Sequence, residues 1–312
     1  MKTVLTNSPD EAAEYIKRGG IVAFPTETVY GLGANVFDED AVAKIFEAKQ
    51  RPSDNPLIAH IARVEKITEL AIEVPEPARK LIDAFFPGPL TVVLKKRDEV
   101  PLVATAGLDT IGIRMPGSEL AHSFLMASGT PVVAPSANLS GRPSPTTWQA
   151  VLEDLDGRID CILQGDATQI GIESTVVDCT GAEPVILRSG SITIEQIRAI
   201  ILRAHLTETL PDQPRSPGLK HRHYSPNASV RVMTNPDQFG GDNKSAYIGL
   251  RPASRSFDLV RICTDSDEYA SALYEFFREC DRRGIETIYC EPVAEEGIGV
   301  ALMDRIRRAA AG

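Results

Sequence analysis

The stretch Ile21-Val-Ala-Phe-Pro-Thr-Glu-Thr-Val-Tyr-Gly-Leu-Gly33 decides how the first two-thirds of the chain is read. Its first four residues are apolar and stop at Pro25, the pattern of a short strand buried on both faces. Two hydroxyls, a carboxylate and a phenol follow, and then glycines. In an open α/β sheet, ligands sit at the carboxyl ends of strands, and glycine lets a backbone come close to one. A capped turn with glycine in a left-handed bend fits the same residues. The stretch alone leaves both readings open.

Working outward, Ser8 and Glu11 read as a capping box with Pro9 in the first turn, opening a helix that ends at Gly19-Gly20. Asp38 caps a helix running to Lys49, with Ala41, Ile45 and Ala48 on its apolar face, and Pro52 stops it. Apolar runs at 57–61, 90–95, 111–114, 132–134, 161–163, 174–178 and 185–188 read as strands. Helical patterns fill 64–72, 76–85, 118–128, 146–155 and 193–203. This alternation is that of an α/β domain.

Between Leu206 and Asn227 the periodicity is lost and Pro211, Pro214, Pro217 and Pro226 appear, which marks a linker. Its second half, Ser216 to Pro226, carries Lys220, His221, Arg222, His223 and Tyr224, more charge and rings than a tether needs. Strands at 230–233, 245–249, 259–262 and 287–289 and helices at 267–283 and 299–310 then suggest a small Rossmann-like α/β domain. Gly297-Ile-Gly299 lacks the third glycine of a dinucleotide fingerprint. A docking or lid domain without a ligand of its own is therefore expected. The division is 1–205, 206–227 and 228–312.

Lys plus Arg number 33 against 43 Asp plus Glu, a net charge of -10 over 312 residues. That balance argues against a nucleic-acid coat, though not against a local cationic pocket. No apolar run approaches the ~20 residues that span a bilayer, and Met1 to Thr6 shows no signal-peptide pattern. Cys161, Cys179, Cys263, Cys280 and Cys290 are scattered, with no CxxC pair. The expectation is a reduced, cytoplasmic protein with no zinc cluster and no membrane partner. Walker, HExxH and GxSxG motifs are all absent.

Polar residues recur at the ends of apolar runs. Lys49-Gln-Arg51-Pro52 with Asn55 places two cations and an amide where phosphate oxygens would suit them. Cations at a helix C-terminus also favour the macrodipole, which is the bland explanation. His60 sits in an apolar run, where a histidine is more often a satisfied core residue. Arg114, before Pro116, points to solvent or into a cleft. Ala134-Pro-Ser-Ala-Asn138, Ser144, Glu173-Ser-Thr175 and Arg188-Ser-Gly190 repeat the pattern. The recurrence argues for a cleft.

Taken together, Phe24 to Ala34, Lys49-x-Arg51-Pro52 with Asn55-Pro-Leu57, Phe86-Pro-Gly-Pro-Leu-Thr91, Arg114-Met-Pro116, Ala134-Pro-Ser-Ala-Asn138 and Glu173-Ser-Thr175 resemble one family. In order, over roughly residues 5–203, they are similar to the YrdC-like domain of threonylcarbamoyl-AMP synthases. The linker and second domain resemble the longer, two-domain form. The resemblance implies a twisted, open mixed α/β sheet with a concave cationic face. It implies synthesis of threonylcarbamoyl-AMP and pyrophosphate from L-threonine, bicarbonate and ATP, with Mg2+ accompanying the ATP. The product would pass to a tRNA-modifying transferase complex, with no stable nucleic-acid binding here. By the same resemblance Thr28, His60, Arg114, Ala134 and Ser174 hold threonine. Lys49, Arg51, Asn55, Thr110, Ser136, Ser144, Arg188 and Tyr224 hold ATP, Asn138 supports its turn, and no residue is a metal ligand. Two alternatives are a carbamoyl-adenylate-forming enzyme fed by carbamoyl phosphate, and a non-catalytic RNA-binding module.

Overall fold

The computed structural model describes residues 2–207, 224–233, 244–253 and 256–311. Lys220, His221, Arg222 and His223 lie outside the described residues, as does Ser216. Among the described residues one mixed sheet of eleven strands carries the first part of the chain. Its strands are β1 Val4–Thr6, β2 Val22–Phe24, β3 Gly31–Asn35, β4 Ile58–His60, β5 Leu90–Lys95, β6 Thr110–Arg114, β7 Val132–Ala134, β8 Cys161–Leu163, β9 Thr175–Asp178, β10 Val185–Arg188 and β11 His205–Leu206. They lie in the order β1-β8-β2-β3-β7-β4-β6-β5-β9-β10-β11. The helices are α1 Pro9–Lys17, α2 Glu39–Lys49, α3 Ile67–Leu70, α4 Glu76–Phe85, α5 Leu102–Thr105, α6 Glu119–Ser128, α7 Trp148–Leu155 and α8 Ile194–Ile200.

The second sheet holds β12 Ser229–Val232, β13 Ser245–Gly249, β14 Leu259–Ile262 and β15 Thr287–Cys290, all parallel, in the order β12-β15-β13-β14. Helices α9 Ser266–Arg282 and α10 Gly299–Ala310 complete it. The carboxyl ends of β13 and β15 are where such a sheet presents a ligand. Here Glu291 fills that place, accepting from the Leu250 and Arg251 backbone N–H groups at 2.6 and 2.9 Å and from the Tyr247 hydroxyl at 3.0 Å.

Three strands, β1, β3 and β11, and the short α5 are absent from the sequence reading. Strand β3 is the instructive case. Its sequence, Gly-Leu-Gly-Ala-Asn, has low strand propensity. A Cβ on Gly33 would lie 2.5 Å from Val132 Cγ1 and 3.0 Å from the Phe24 ring. Gly33 is therefore there for close packing inside the sheet, not for approach to a ligand. Of the capping box at Ser8, only half forms. Ser8 Oγ accepts from the Glu11 N–H at 3.3 Å, but the Ser8 N–H goes to Thr6 Oγ1 at 3.1 Å. A complete box stands at Thr193 and Gln196 instead. All five cysteines are free and buried.

Three strand pairings place the site. Parallel β4 and β6 set His60 level with Arg114, and antiparallel β4 and β7 bring Ala134 opposite Ile58. Strand β5 joins β9 in parallel, which sets Ser174 beside Thr91.

Candidate active site

A cavity of about 60 Å³ opens where these strands end. Its floor is Arg114, only 4% exposed. The guanidinium donates from Nη1 to Thr28 Oγ1 at 2.9 Å and from Nε to the Gly88 carbonyl at 3.3 Å, and Nη2 lies 2.7 Å from Glu27 Oε1. Thr28 is set by a local turn: Thr26 Oγ1 donates to the Val29 carbonyl at 2.7 Å and accepts from the Thr28 N–H at 3.1 Å. So the Pro25–Gly33 stretch is a hydroxyl-bonded turn that also presents a side chain to a cavity.

His60 Nδ1 lies 3.0 Å from the Ile58 carbonyl, and its ring meets Phe24 edge-on at 5.7 Å. Burial and the neighbouring Arg114 charge push its pKa down to about 3, so it is a neutral imidazole at working pH. Ser174 Oγ lies 2.8 Å from Thr91 Oγ1 and accepts from Arg188 Nη2 at 3.2 Å, while Arg188 Nε donates to the Ser174 carbonyl at 3.1 Å. Burial lowers the pKa of Arg188 and brings Arg51 down to about 10, still protonated near neutrality.

Thr28, His60, Arg114, Ala134, Ser174, Arg51, Ser136, Arg188 and Tyr224 all line this cavity. Lys49, Asn55, Thr110, Ser144 and Asn138 do not. Lys49 corrects the picture of two cations offered to phosphate oxygens at a helix end. Gln50 closes α2 in a left-handed conformation (φ 52°), and Lys49 is only 2% exposed. Its Nζ donates to the carbonyls of Ser136 and Asn138, tying α2 to that turn. Burial holds its pKa well below the usual lysine range.

Asn138 Nδ2 donates to the Leu139 and Arg142 carbonyls at 2.7 and 2.9 Å, and Oδ1 accepts from Ser136 Oγ at 2.6 Å. Asn55 is fully buried, with neither side-chain atom hydrogen-bonded. Thr110 stands four residues before Arg114 on the same face of β6, ~13 Å away at strand rise. Ser144 donates to Glu173 Oε1 at 2.6 Å.

The sequence reading assigned no role to Glu27 or Thr26. Both lie in the quoted stretch, but only the fold shows what they face. A larger groove of about 990 Å³ lies beyond them, lined in part by Gly117, Trp148 and Asp166. It holds none of the expected site residues, so size is a poor guide to the chemistry here.

Comparison with known proteins decides the family. A family model described as telomere recombination matches residues 14–190, and one described as threonylcarbamoyl-AMP synthase, C-terminal domain, matches residues 192–311. The threonylcarbamoyl-AMP synthase of Pyrococcus abyssi is 45% identical, over 96% of this chain and 92% of its own. The chain belongs to the threonylcarbamoyl-AMP synthase family. The Bacillus subtilis member is 44% identical, over 98% of this chain and 94% of its own. The solved structure of P. abyssi Sua5 complexed with L-threonine superimposes with a TM-score of 0.91 at 42% identity, covering 99% of this chain and 97% of that one.

In this threonylcarbamoyl-AMP synthase family member a protein-held magnesium would need free oxygen donors at the cavity. Among the described residues no group of three His, Cys, Asp or Glu side chains forms a metal cage. The carboxylate lining the cavity, Glu173, is engaged by Ser144, Tyr274 and Arg305. These residues do not fit a protein-held magnesium. No described helix is long and apolar enough to cross a membrane.

Proposed function

We propose that this cavity joins L-threonine, bicarbonate and ATP into threonylcarbamoyl-AMP and pyrophosphate. The product then serves threonylcarbamoyladenosine formation beside the anticodon of tRNA, through a separate transferase, in the cytoplasm. The observation that carries the reading is the buried Arg114 guanidinium with Thr28, His60, Ala134 and Ser174 around it. A guanidinium grips a carboxylate through two parallel hydrogen bonds, and the small polar neighbours suit the rest of an α-amino acid.

The chemistry asks for positioning and charge. The threonine amine adds to bicarbonate with loss of water, giving a carbamate. A carbamate oxygen then attacks the α-phosphorus of ATP, and pyrophosphate leaves. Arg51, half-buried, and Arg188, buried, are cations whose proton affinity is already depressed by lost hydration. Phosphate oxygens restore what water gave them. The unpartnered amide of Asn55 suits the same ligand. Thr110, Ser136, Ser144 and Tyr224 complete the nucleotide side, with Lys49 and Asn138 supporting it by holding the Ser136 turn. His60, being neutral, offers a hydrogen bond and no charge. Mg2+ enters with ATP as part of the substrate.

Organic ligands of drug size occupy cavities of ~300–1,000 Å³. The present 60 Å³ space therefore opens for ATP, and Tyr224 is the part of its wall that belongs to the linker. The division at 1–205, 206–227 and 228–312 is part of the same proposal. The test is pyrophosphate release from ATP without RNA. Release is expected to require both threonine and bicarbonate. Release driven by carbamoyl phosphate without threonine would support the carbamoyl-adenylate alternative, and no release would leave a binding module.

A further inference from the structure

The second domain does more than cover the first. Glu173, in the cavity wall, is only 7% exposed. Its carboxylate accepts from Ser144 Oγ at 2.6 Å on its own side of the molecule. Its other partners come from the second domain. The Tyr274 hydroxyl of α9 lies 3.1 Å from Oε2 and 3.3 Å from Oε1, and Arg305 Nε of α10 donates to Oε2 at 3.1 Å.

The same two residues seat Tyr224. Its ring stacks on Tyr274 with centroids 5.5 Å apart and 24° between the planes, and the Arg305 guanidinium carbon stands 5.5 Å from its centroid. Tyr224 holds a positive φ of 67°, a conformation that costs a non-glycine residue energy and persists only where its surroundings impose it. Arg305 is wholly buried, and its Nη2 has no hydrogen-bond partner. A cation placed so, far from water, is offset by the Glu173 charge, by the Asp304 carboxylate 2.9 Å from its Nη1 and by the Tyr224 ring.

We propose that Arg305 and Tyr274 are positioning residues for the nucleotide. They hold Glu173, and through it Ser144, and they fix the Tyr224 ring, so that the ATP side of the cavity is complete only when the second domain is docked. The inference rests on the assignment of this cavity to ATP. The threonine side has its own anchors: Arg114 is held by Thr28, Glu27 and Gly88, and Ser174 by Thr91, with Arg188 reaching Ser174 from the nucleotide side. Disturbing Arg305 therefore acts on one substrate and spares the other.

The experiment uses the full chain and measures Mg-ATP and threonine binding by calorimetry, together with thermal unfolding. Arg305→Met is expected to weaken ATP binding about tenfold and leave threonine binding within twofold. It also leaves the Glu173 carboxylate without its cation, so its stability falls. The double variant Arg305→Met/Glu173→Gln removes that unpaired charge. It is expected to regain stability while ATP binding stays weak, because the seat of Tyr224 is still missing. Tyr274→Phe, which keeps the stacked ring but loses the hydroxyl, should fall between. The proposal is overturned if ATP binding in the double variant returns with stability, or if both substrates weaken equally. Binding is read without turnover. Failure of the parent chain to release pyrophosphate would count against the proposed reaction and not against this inference.

Discussion

Glu27 Oε1 lies 2.7 Å from Arg114 Nη2, an ion pair whose two side chains are 10% and 5% exposed. With Nη1 on Thr28 and Nε on the Gly88 carbonyl, each guanidinium nitrogen has a protein partner, and the side chain still lines the cavity. Arg114 thus carries its counter-charge before any substrate arrives. Replacing Arg114 by Ala should weaken threonine binding by about 1.5–3 kcal/mol, the worth of a charge-assisted pair, which is roughly ten- to hundredfold in affinity. ATP binding should change less. Unchanged threonine affinity by calorimetry would count against the assignment. The variant should also lose stability, since Glu27 is left buried without a partner.

Lys49 and Arg51, two residues apart, should behave differently. Lys49→Met leaves the carbonyls of Ser136 and Asn138 without their buried donor, at a cost of about 1–3 kcal/mol in folding stability. Arg51→Met should keep stability near the parent value and reduce ATP binding. Urea titrations of the two variants check this, and a fully stable Lys49→Met chain would overturn the structural role.

His60 gives a pH signature. Its pKa falls from 6.5 to about 3 on folding, so between those values the unfolded chain binds more protons than the folded one. Stability then rises with pH across that window, and is lost as pH falls from 6.5 towards 3 by up to about 1.4 kcal/mol per unit. His60→Gln should flatten the acid limb of a stability–pH profile by one proton. Parallel limbs for the two proteins would show that the imidazole is not buried neutral.

Gly171 marks a close crossing between the two parts of the chain. Its φ is +78°, and a Cβ there would stand 2.4 Å from Ser271 Cα and 2.6 Å from the Ser271 carbonyl oxygen. Gly129 has a similar φ of +71° with nothing within 4 Å of its Cβ position. Both Gly→Ala changes carry the left-handed backbone cost, about 1–2 kcal/mol. Gly171→Ala should lose clearly more stability than Gly129→Ala, and weaken ATP binding as well. Equal losses in thermal unfolding would mean the two backbones are not pressed together.

The strand reading succeeded wherever apolar runs met a proline or glycine stop, as at Leu90–Lys95 and Val132–Ala134. It failed where packing overrides propensity. Strand β3 is a strand because Phe24 and Val132 leave room only for glycine beside them. Strand β11 is two residues held by β10. The second sheet was legible because its strands are short apolar runs and because the long amphipathic α9, capped by Asp265, separates β14 from β15.

The sequence by itself determined most of the strands and helices in their order, and the recurrence of small polar residues at strand ends. Those are local properties, written in periodicity, stops and turn chemistry. It also carried the family resemblance, since six short blocks in a fixed order survive without any geometry. Only the tertiary structure decided that Lys49 turns inward, that Glu27 pairs with Arg114, and that Arg305 and Tyr274 reach Glu173 from 132 and 101 residues away. Side-chain direction at a helix end and pairing across such separations depend on how the sheets pack. No periodicity in a linear chain records that an arginine in its last helix will stand over a tyrosine in its linker.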